Sequence, residues 1–324
     1  MIRVGMRCGA TPRTKISRLV VTLCLAMFAR TLAARPNFLV IMMDDLDDLL
    51  NGTTAMPTVL AGIRDAGISL SGYVDVPVCC PSRTSTLSGR YAHNLNDTHL
   101  GWCGDFGARH EGHTWIRMLR DAGYETGLVG KYYNDYGDFC NAKCHVPSDW
   151  SYVYLMCDDN KYTGNSFNVN GSMKTVGPDV YMTDVLGNAS LAWLRGVAAA
   201  SAKSDTPFFL YFAPHAPHVP ATPAHKYENA PLPGNLTTAP RPPSWDVAGT
   251  GQHWLVDEKA HLTPALVKFS DELWARRLRS TMSVDDVVRE LLSVIYKAGV
   301  RNTTYVLFTS DHGYNLGVSA RCST

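Results

Sequence analysis

Asn37-Phe38-Leu39-Val40-Ile41-Met42-Met43-Asp44-Asp45 is the stretch on which the fold turns. A strand with one wet face alternates apolar and polar residues, whereas an uninterrupted apolar run fits a strand covered on both faces, as in a parallel sheet. Here the run stops abruptly at two carboxylates. That puts Asp44 and Asp45 at the carboxyl end of a buried strand, where such a sheet opens into a site.

Outward from this run, residues 124–129, 207–213 and 305–309 are short aromatic and β-branched runs bounded by Gly, Pro or charge, which predicts further strands. Helical spacing predicts helices over 56–66, stopped by Gly67, and over 115–122, stopped by Gly123. Ser283 followed by Asp285 and Asp286 reads as the N-terminus of an amphipathic helix that runs to Lys297 and is closed by Gly299. Strands alternating with helices predict an α/β fold with a mainly parallel central sheet flanked by helices. Residues 220–243 are Pro-rich and weakly periodic, so they read as a surface excursion.

The chain has 324 residues, 45% of them hydrophobic, and a net charge of +1. It is long enough to bury a sizeable core, and its near-zero charge gives no field that would favour nucleic acid as a partner. Arg13, Lys15 and Arg18 precede an apolar run over 19–29 and then Leu32-Ala33-Ala34, the layout of a signal peptide over 1–34. The apolar run is shorter than the roughly 20 residues that span a bilayer as a helix. Cleavage near Ala34 is therefore expected, leaving a mature chain of 35–324 with no membrane span. Sequons at Asn51, Asn96, Asn170, Asn188, Asn235 and Asn302 agree with a secretory route, to the extracellular space or a lysosome-like compartment. Of nine cysteines, Cys8 and Cys24 leave with the leader, and the seven that remain are Cys79, Cys80, Cys103, Cys140, Cys144, Cys157 and Cys322. An odd number in an oxidising compartment means a free thiol or a residue of different chemistry.

Cys79-Cys80-Pro81-Ser82-Arg83 continues as Thr84-Ser85-Thr86-Leu87-Ser88-Gly89-Arg90. The run resembles the signature of the formylglycine-dependent sulfatases: Cys, any residue, Pro, Ser, Arg, then Leu, a small hydroxyl residue, Gly and a basic residue. The resemblance implies an alkaline-phosphatase-like sulfatase fold. It also implies that a formylglycine-generating enzyme oxidises Cys79 during secretion, which leaves six cysteines for disulfides. Cys80 is then expected to pair, with Cys103, the next cysteine along the chain, as its partner. An aldehyde hydrate offers one hydroxyl to attack sulfur and a second whose deprotonation expels sulfate, so covalent catalysis splits a hard hydrolysis into two steps. The plainer reading of Cys79 and Cys80 is two ordinary disulfide cysteines.

Asp44, Asp45, Asp311 and His312 come from two distant strand ends, and hard oxygen ligands suit Ca²⁺ or Mg²⁺. In the resembled family such residues bind one divalent ion together with the formylglycine at the Cys79 position. Singly, an Asp pair is a solvated turn and Asp-His-Gly an ordinary loop; Asp47 and Asp48 are taken as loop charges. Gly130-Lys131-Tyr132-Tyr133-Asn134-Asp135-Tyr136-Gly137 resembles the glucosamine-6-sulfatase branch, which implies a sulfate-clamping Lys131. Tyr133 stands where many sulfatases have a histidine. Pro214-His215-Ala216-Pro217-His218-Val219-Pro220 resembles the family's substrate-facing histidine loop, with His218 able to protonate the leaving alcohol. His215 is read as a structural loop histidine. Arg83, one turn past Cys79 if a helix starts there, would orient the hydrate. His253-Trp254-Leu255 and Ser283-Val284-Asp285-Asp286 are similar to segments of glucosamine-6-sulfatases and heparan endosulfatases.

The resemblance implies hydrolysis of an aryl or sugar sulfate, with glucosamine 6-sulfate as one candidate substrate. It runs from Arg35 to Gly317 and is not continued by residues 318–324. A second active-site lysine and a C-terminal subdomain are missing from the pattern, so a shortened chain of impaired activity is expected. Two other readings stay open: a phosphatase or phosphodiesterase of the same superfamily, and a secreted, catalytically dead protein that binds sulfated glycans.

Overall fold

A computed structural model describes residues 35–72, 76–95, 103–134, 136–139, 144–157, 161–247 and 261–317. The expected leader over 1–34, the sequon at Asn96, Cys140, Cys322, the segment His253-Trp254-Leu255 and the tail after Gly317 lie outside the described residues.

The seven-residue run that opens the sequence reading is strand β1 (Asn37–Met43). It lies between β6 (Phe208–Ala213) and β7 (Thr304–Ser310), parallel to both, and β6 pairs in parallel with β2 (Glu125–Gly130), which pairs with β3 (Tyr152–Met156). Two antiparallel strands, β4 (Ser166–Val169) and β5 (Ser172–Thr175), complete the order β5-β4-β3-β2-β6-β1-β7. The mainly parallel α/β sheet is therefore as expected, with an antiparallel margin that the sequence reading did not anticipate. β6 reads Phe-Phe-Leu-Tyr-Phe-Ala and is buried at every position, as a central strand covered on both faces requires.

Two apolar layers cover the sheet. Leu39, Ile41 and Met43 of β1 point to one face with Phe208, Leu210 and Phe212 of β6. They meet α5 (Met182–Ser204) and the second half of α6 (Pro264–Lys297) through Met182, Leu186, Leu194, Val284, Val288, Leu291 and Ile295. Met42, Phe209 and Tyr211 point the other way, to α2 (Cys79–Ser88), α3 (Gly104–His110) and α4 (Trp115–Asp121), through Leu87, Phe106 and Ile116. Fully burying one such Leu or Phe stabilises the fold by roughly 1.5–3 kcal/mol. α2 ends at Gly89 with φ of 68°, a left-handed closure that favours glycine.

The helix expected from Ser283 is instead the second half of α6, a single helix of 34 residues whose cap is Thr263, accepting from the Leu266 N–H. Ser283 is buried in its middle. The acidic pair that mimics a helix start does cap a helix, but a different one. The Asp285 carboxylate accepts from the backbone N–H groups of Thr58 and Val59, both at 3.0 Å, at the start of α1 (Pro57–Val59). Asp286 binds Lys226, Tyr227 and Arg289 near the surface. The helix expected over 56–66 is shorter than predicted, because α1 passes into a π-helical turn over Leu60–Arg64. The excursion over 220–243 carries only short 3₁₀ turns, yet it buries Ala221, Leu232 and Ala239 against Leu273, Trp274 and Leu278 of α6.

Asp285→Ala would orphan two helix N–H groups, one of them on buried Val59, and should cost about 1–2 kcal/mol in a urea melt. Asp286→Ala, which removes ion pairs to exposed partners, should cost less than about 1 kcal/mol. Equal losses in the two melts would contradict the assignment of Asp285 as the cap of α1.

Candidate active site

The carboxyl ends of four adjacent parallel strands deliver the site. β1 ends in Asp44 and Asp45, β2 in Lys131, β6 leads to His215 and His218, and β7 to Asp311 and His312, while α2 begins at Cys79. Glycine is required at one of these ends. Gly130 has φ of 115°, and a Cβ there would lie 1.9 Å from the Ala213 carbonyl oxygen of the neighbouring strand. That close approach lets the Lys131 N–H bond the same carbonyl and directs Lys131 inward.

Asp44 is the centre of the charge pattern. Its fully buried carboxylate takes two contacts from Lys131 Nζ, at 2.9 and 3.1 Å, one from Arg83 Nη2 at 3.1 Å and one from His215 Nδ1 at 3.0 Å. Burial alone would raise its pKa, but the charges of Lys131 and Arg83 outweigh that and hold it well below the usual carboxylate range. Arg83 also donates to Asp311 Oδ2 at 3.0 Å and to the Lys131 carbonyl at 3.3 Å. Arg83 thus ties the ends of β1, β2 and β7 to α2, the helix that begins at Cys79. Ser82 donates to the Asp311 carbonyl oxygen.

Asp45 differs. Its carboxylate faces two imidazoles, His312 Nε2 at 3.2 Å and His218 Nε2 at 3.8 Å, and the Cys79 thiol, and burial together with neighbouring Asp44 raises its pKa. Its backbone is left-handed, with φ of 67°, a conformation that costs about 1–2 kcal/mol for a residue with a Cβ. Both backbone groups are gripped: the N–H by Asp311 Oδ1 at 2.9 Å and the carbonyl by Arg277 Nη2 at 2.6 Å.

The Cys79 Sγ lies among these groups, 3.3 Å from His312 Nε2, 3.5 Å from Asp44 Oδ1 and 3.8 Å from Asp45 Oδ1. Two triads able to hold a metal share it, Asp45-Cys79-His312 and Asp44-Cys79-Asp311. His312 and His218 each place Nδ1 2.7 Å from a backbone carbonyl, of Gly313 and Val219 respectively. A carbonyl only accepts, so Nδ1 carries the hydrogen and Nε2 is left facing the site. Burial disfavours the charged form of His218, but its bond to Cys79 and the charge of Asp44 outweigh this and raise it to about 9. Adjacent Cys80 turns away and joins Cys103 in a disulfide, the pairing expected from the chain order.

All the candidate residues, Asp44, Asp45, Cys79, Arg83, Lys131, His218, Asp311 and His312, thus converge. His215, read as a structural loop histidine, is fully buried against Asp44, with burial lowering its pKa to about 4 and its Nε2 unpartnered among the described residues. One expectation needs correction. Asp47 is no solvated loop charge, since it is buried and pairs with Arg277 Nη2 at 2.9 Å, 230 residues along the chain. Asp48 is exposed, as expected. Arg277 carries one usable sequence signal, an arginine at helical spacing among Leu273, Trp274, Leu278 and Val284, all of them buried. Tyr133 is buried with Phe106, Tyr132 and Tyr136, in an aromatic cluster.

The chain that carries this site has relatives among known proteins. The sulfatase family model matches residues 36–323, and the chain belongs to the sulfatase family. It is 36% identical to human N-acetylglucosamine-6-sulfatase over 308 residues, covering 91% of this chain and 54% of that one. It is 33% identical to the extracellular sulfatase SULF-1 homolog of Drosophila melanogaster, covering 87% and 25%, and 31% identical to arylsulfatase of Volvox carteri, covering 93% and 51%. The chain spans about half the length of the N-acetylglucosamine-6-sulfatases it matches. Its fold is that of BT4656, solved in complex with D-glucosamine-2-N,6-O-disulfate, at a TM-score of 0.62 and 18% identity, covering 88% of this chain and 67% of that one. Ps i-CgsB, solved with k-i-k-neocarrahexaose, matches at a TM-score of 0.62 and 19% identity, covering 89% and 60%. Among the described residues no helix is long and apolar enough to cross a membrane.

Gly130→Ala should lose about 3 kcal/mol or more, from the forced φ and the collision with Ala213. Gly196→Ala, on the exposed face of α5 with open space around the new methyl group, should gain about 0.5–1 kcal/mol. Denaturant melts of both variants check the pair, and a tolerated Gly130→Ala would mean that β2 and β6 do not approach as described.

Proposed function

We propose that the chain hydrolyses sulfate esters, with Cys79 converted to formylglycine as the residue that attacks sulfur and one divalent cation held beside it. The observation that carries this reading is the position of the Cys79 side chain, at the start of α2 and within 3.8 Å of Asp44, Asp45 and His312. Membership of the sulfatase family favours sulfate over phosphate esters.

The donor set fits a cation. Asp44 and Asp311 already have Lys131 and Arg83 as countercharges, whereas Asp45 has only imidazoles. Asp44, Asp45, Asp311, His312 and the modified Cys79 would hold it, and their hard oxygens suit Ca²⁺, with Mg²⁺ as the alternative. The ion, when bound, supplies positive charge that orients a sulfate oxygen and lowers the pKa of a nearby hydroxyl.

The chain's own residues do the rest. Arg83 fixes the spread of Asp44 and Asp311. Lys131 adds a buried positive charge within reach of an incoming sulfate oxygen, so that binding is preorganised. His218, with Nδ1–H tied to Val219 and Nε2 facing the site, donates the proton that the leaving oxygen requires. The names of the relatives and the sulfated sugar bound by BT4656 support a 6-sulfated glucosamine as the substrate class. The signal-like leader supports a secretory route, on which a formylglycine-generating enzyme would act on Cys79.

The tryptic peptide containing Cys79 should carry an aldehyde in secreted protein, by mass spectrometry. The protein should turn over nitrophenyl sulfate in preference to nitrophenyl phosphate. Calcium content measured on folded Asp45→Ala should fall to background. An intact Cys79 thiol in every molecule refutes the nucleophile, and equal calcium in parent and variant refutes the metal site.

A further inference from the structure

We propose that Arg277, from the middle of α6, is a positioning residue that sets the direction of the Asp45 carboxylate by holding three of the site's loops at once; the assignment rests on the metal reading above. Its guanidinium is buried and donates to the Asp45 carbonyl at 2.6 Å, to Asp47 Oδ2 at 2.9 Å and to the Pro217 carbonyl at 3.1 Å. Its plane lies over the Tyr314 ring, 4.4 Å from the centroid. Asp45 and Asp47 follow β1, Pro217 follows β6 and lies between His215 and His218, and Tyr314 follows β7 two residues after His312. None of these contacts is to Cys79 or to an Nε2 that faces it, so Arg277 acts through the groups it holds.

The geometry says more than that a buried arginine needs acceptors. A buried ion pair of Arg277 with Asp47 would satisfy the charge alone, yet two of the three hydrogen bonds go to main-chain carbonyls. One of those belongs to a residue in the left-handed region. Asp45 can stay there because its two peptide groups are held from opposite sides, the N–H by Asp311 and the carbonyl by Arg277. With the carbonyl released, the backbone is free to relax to ordinary φ, and the Cα–Cβ bond that aims the carboxylate at His312 and Cys79 turns with it. The planar fork of arginine reaches acceptors in several directions, which the point charge of lysine does not. Partners that orient a ligand without touching the metal commonly contribute about 10–100-fold to affinity.

The test uses the full chain as secreted. Calcium affinity is measured by titration calorimetry for the parent, Arg277→Gln, Arg277→Lys and Asp47→Asn, with circular dichroism and melting in a chelator as the check on folding. Arg277→Gln is expected to weaken calcium by about 10–100-fold, Arg277→Lys to fall between it and the parent, and Asp47→Asn to stay within a few-fold because both carbonyl bonds survive. Should Arg277→Gln unfold with Asp47 left as a buried unpaired charge, the Asp47→Asn/Arg277→Gln double variant removes that charge and still lacks the carbonyl bonds. It is expected to show the same loss. Parent-like affinity in a folded Arg277→Gln or in the double variant overturns the assignment alone. A parent that binds no divalent ion overturns the metal reading and this assignment with it. A melting temperature lowered in chelator with calcium affinity unchanged overturns it in favour of a purely structural arginine.

Discussion

The balance of charge around the Asp44 carboxylate is what the rest of the site depends on. A carboxylate this deep survives ionised only with partners, and its partners come from three other places in the chain: Lys131 after β2, Arg83 in α2 and His215 after β6. Strand order, the docking of α2 and the electrostatics are therefore one problem. β6 must sit between β1 and β2 for Lys131 and His215 to reach the same carboxylate, and α2 must dock against these strand ends for Arg83 to bridge Asp44 and Asp311. Removing Lys131 or Arg83 would leave buried negative charge undercompensated, and not just a missing contact.

Asp45 follows a different logic within the same cluster. It is adjacent in sequence to a fully compensated carboxylate, but among the described residues no lysine or arginine pairs with its own carboxylate, which faces two imidazoles. The contrast between neighbours is one of charge compensation: Asp44 is offset by Lys131 and Arg83, and Asp45 by neither. Both histidines that face Asp45 have their far nitrogen committed to a backbone carbonyl, so the ring nitrogens that remain are aimed inward.

Much of this was legible in the sequence because β1 and β6 are continuous apolar runs of strand length that end at charge or Pro, while β2 and β7 are shorter apolar runs bounded by Gly or polar residues, β7 keeping one face exposed at Tyr305 and Leu307. The same runs end in the residues that matter, so Asp44, Asp45, Lys131, His218, Asp311 and His312 could be placed by position. What could not be read is long-range pairing. Nothing near Asp47 announces an arginine 230 residues away, and a charged loop residue is ordinarily solvated. α6 was cut short because Ser283-Val284-Asp285-Asp286 has the composition of a helix start, whereas its first carboxylate serves α1. β4 and β5 escaped because they are four residues each, β5 being exposed along its whole length, and no buried periodicity marks it.

Successive residues of a helix diverge by about 100°, and the first turn of α2 uses that divergence to send two neighbouring cysteines to opposite fates. Cys80 is locked to Cys103, 23 residues on, while Cys79 is enclosed by carboxylates with only 7% of its surface exposed. Once α2 has wound and docked, no enzyme could thread Cys79 into a second active site without pulling the helix out and breaking the ring of charges around it. An enzyme that alters Cys79 must therefore reach it before α2 has docked and the carboxylates have closed around it.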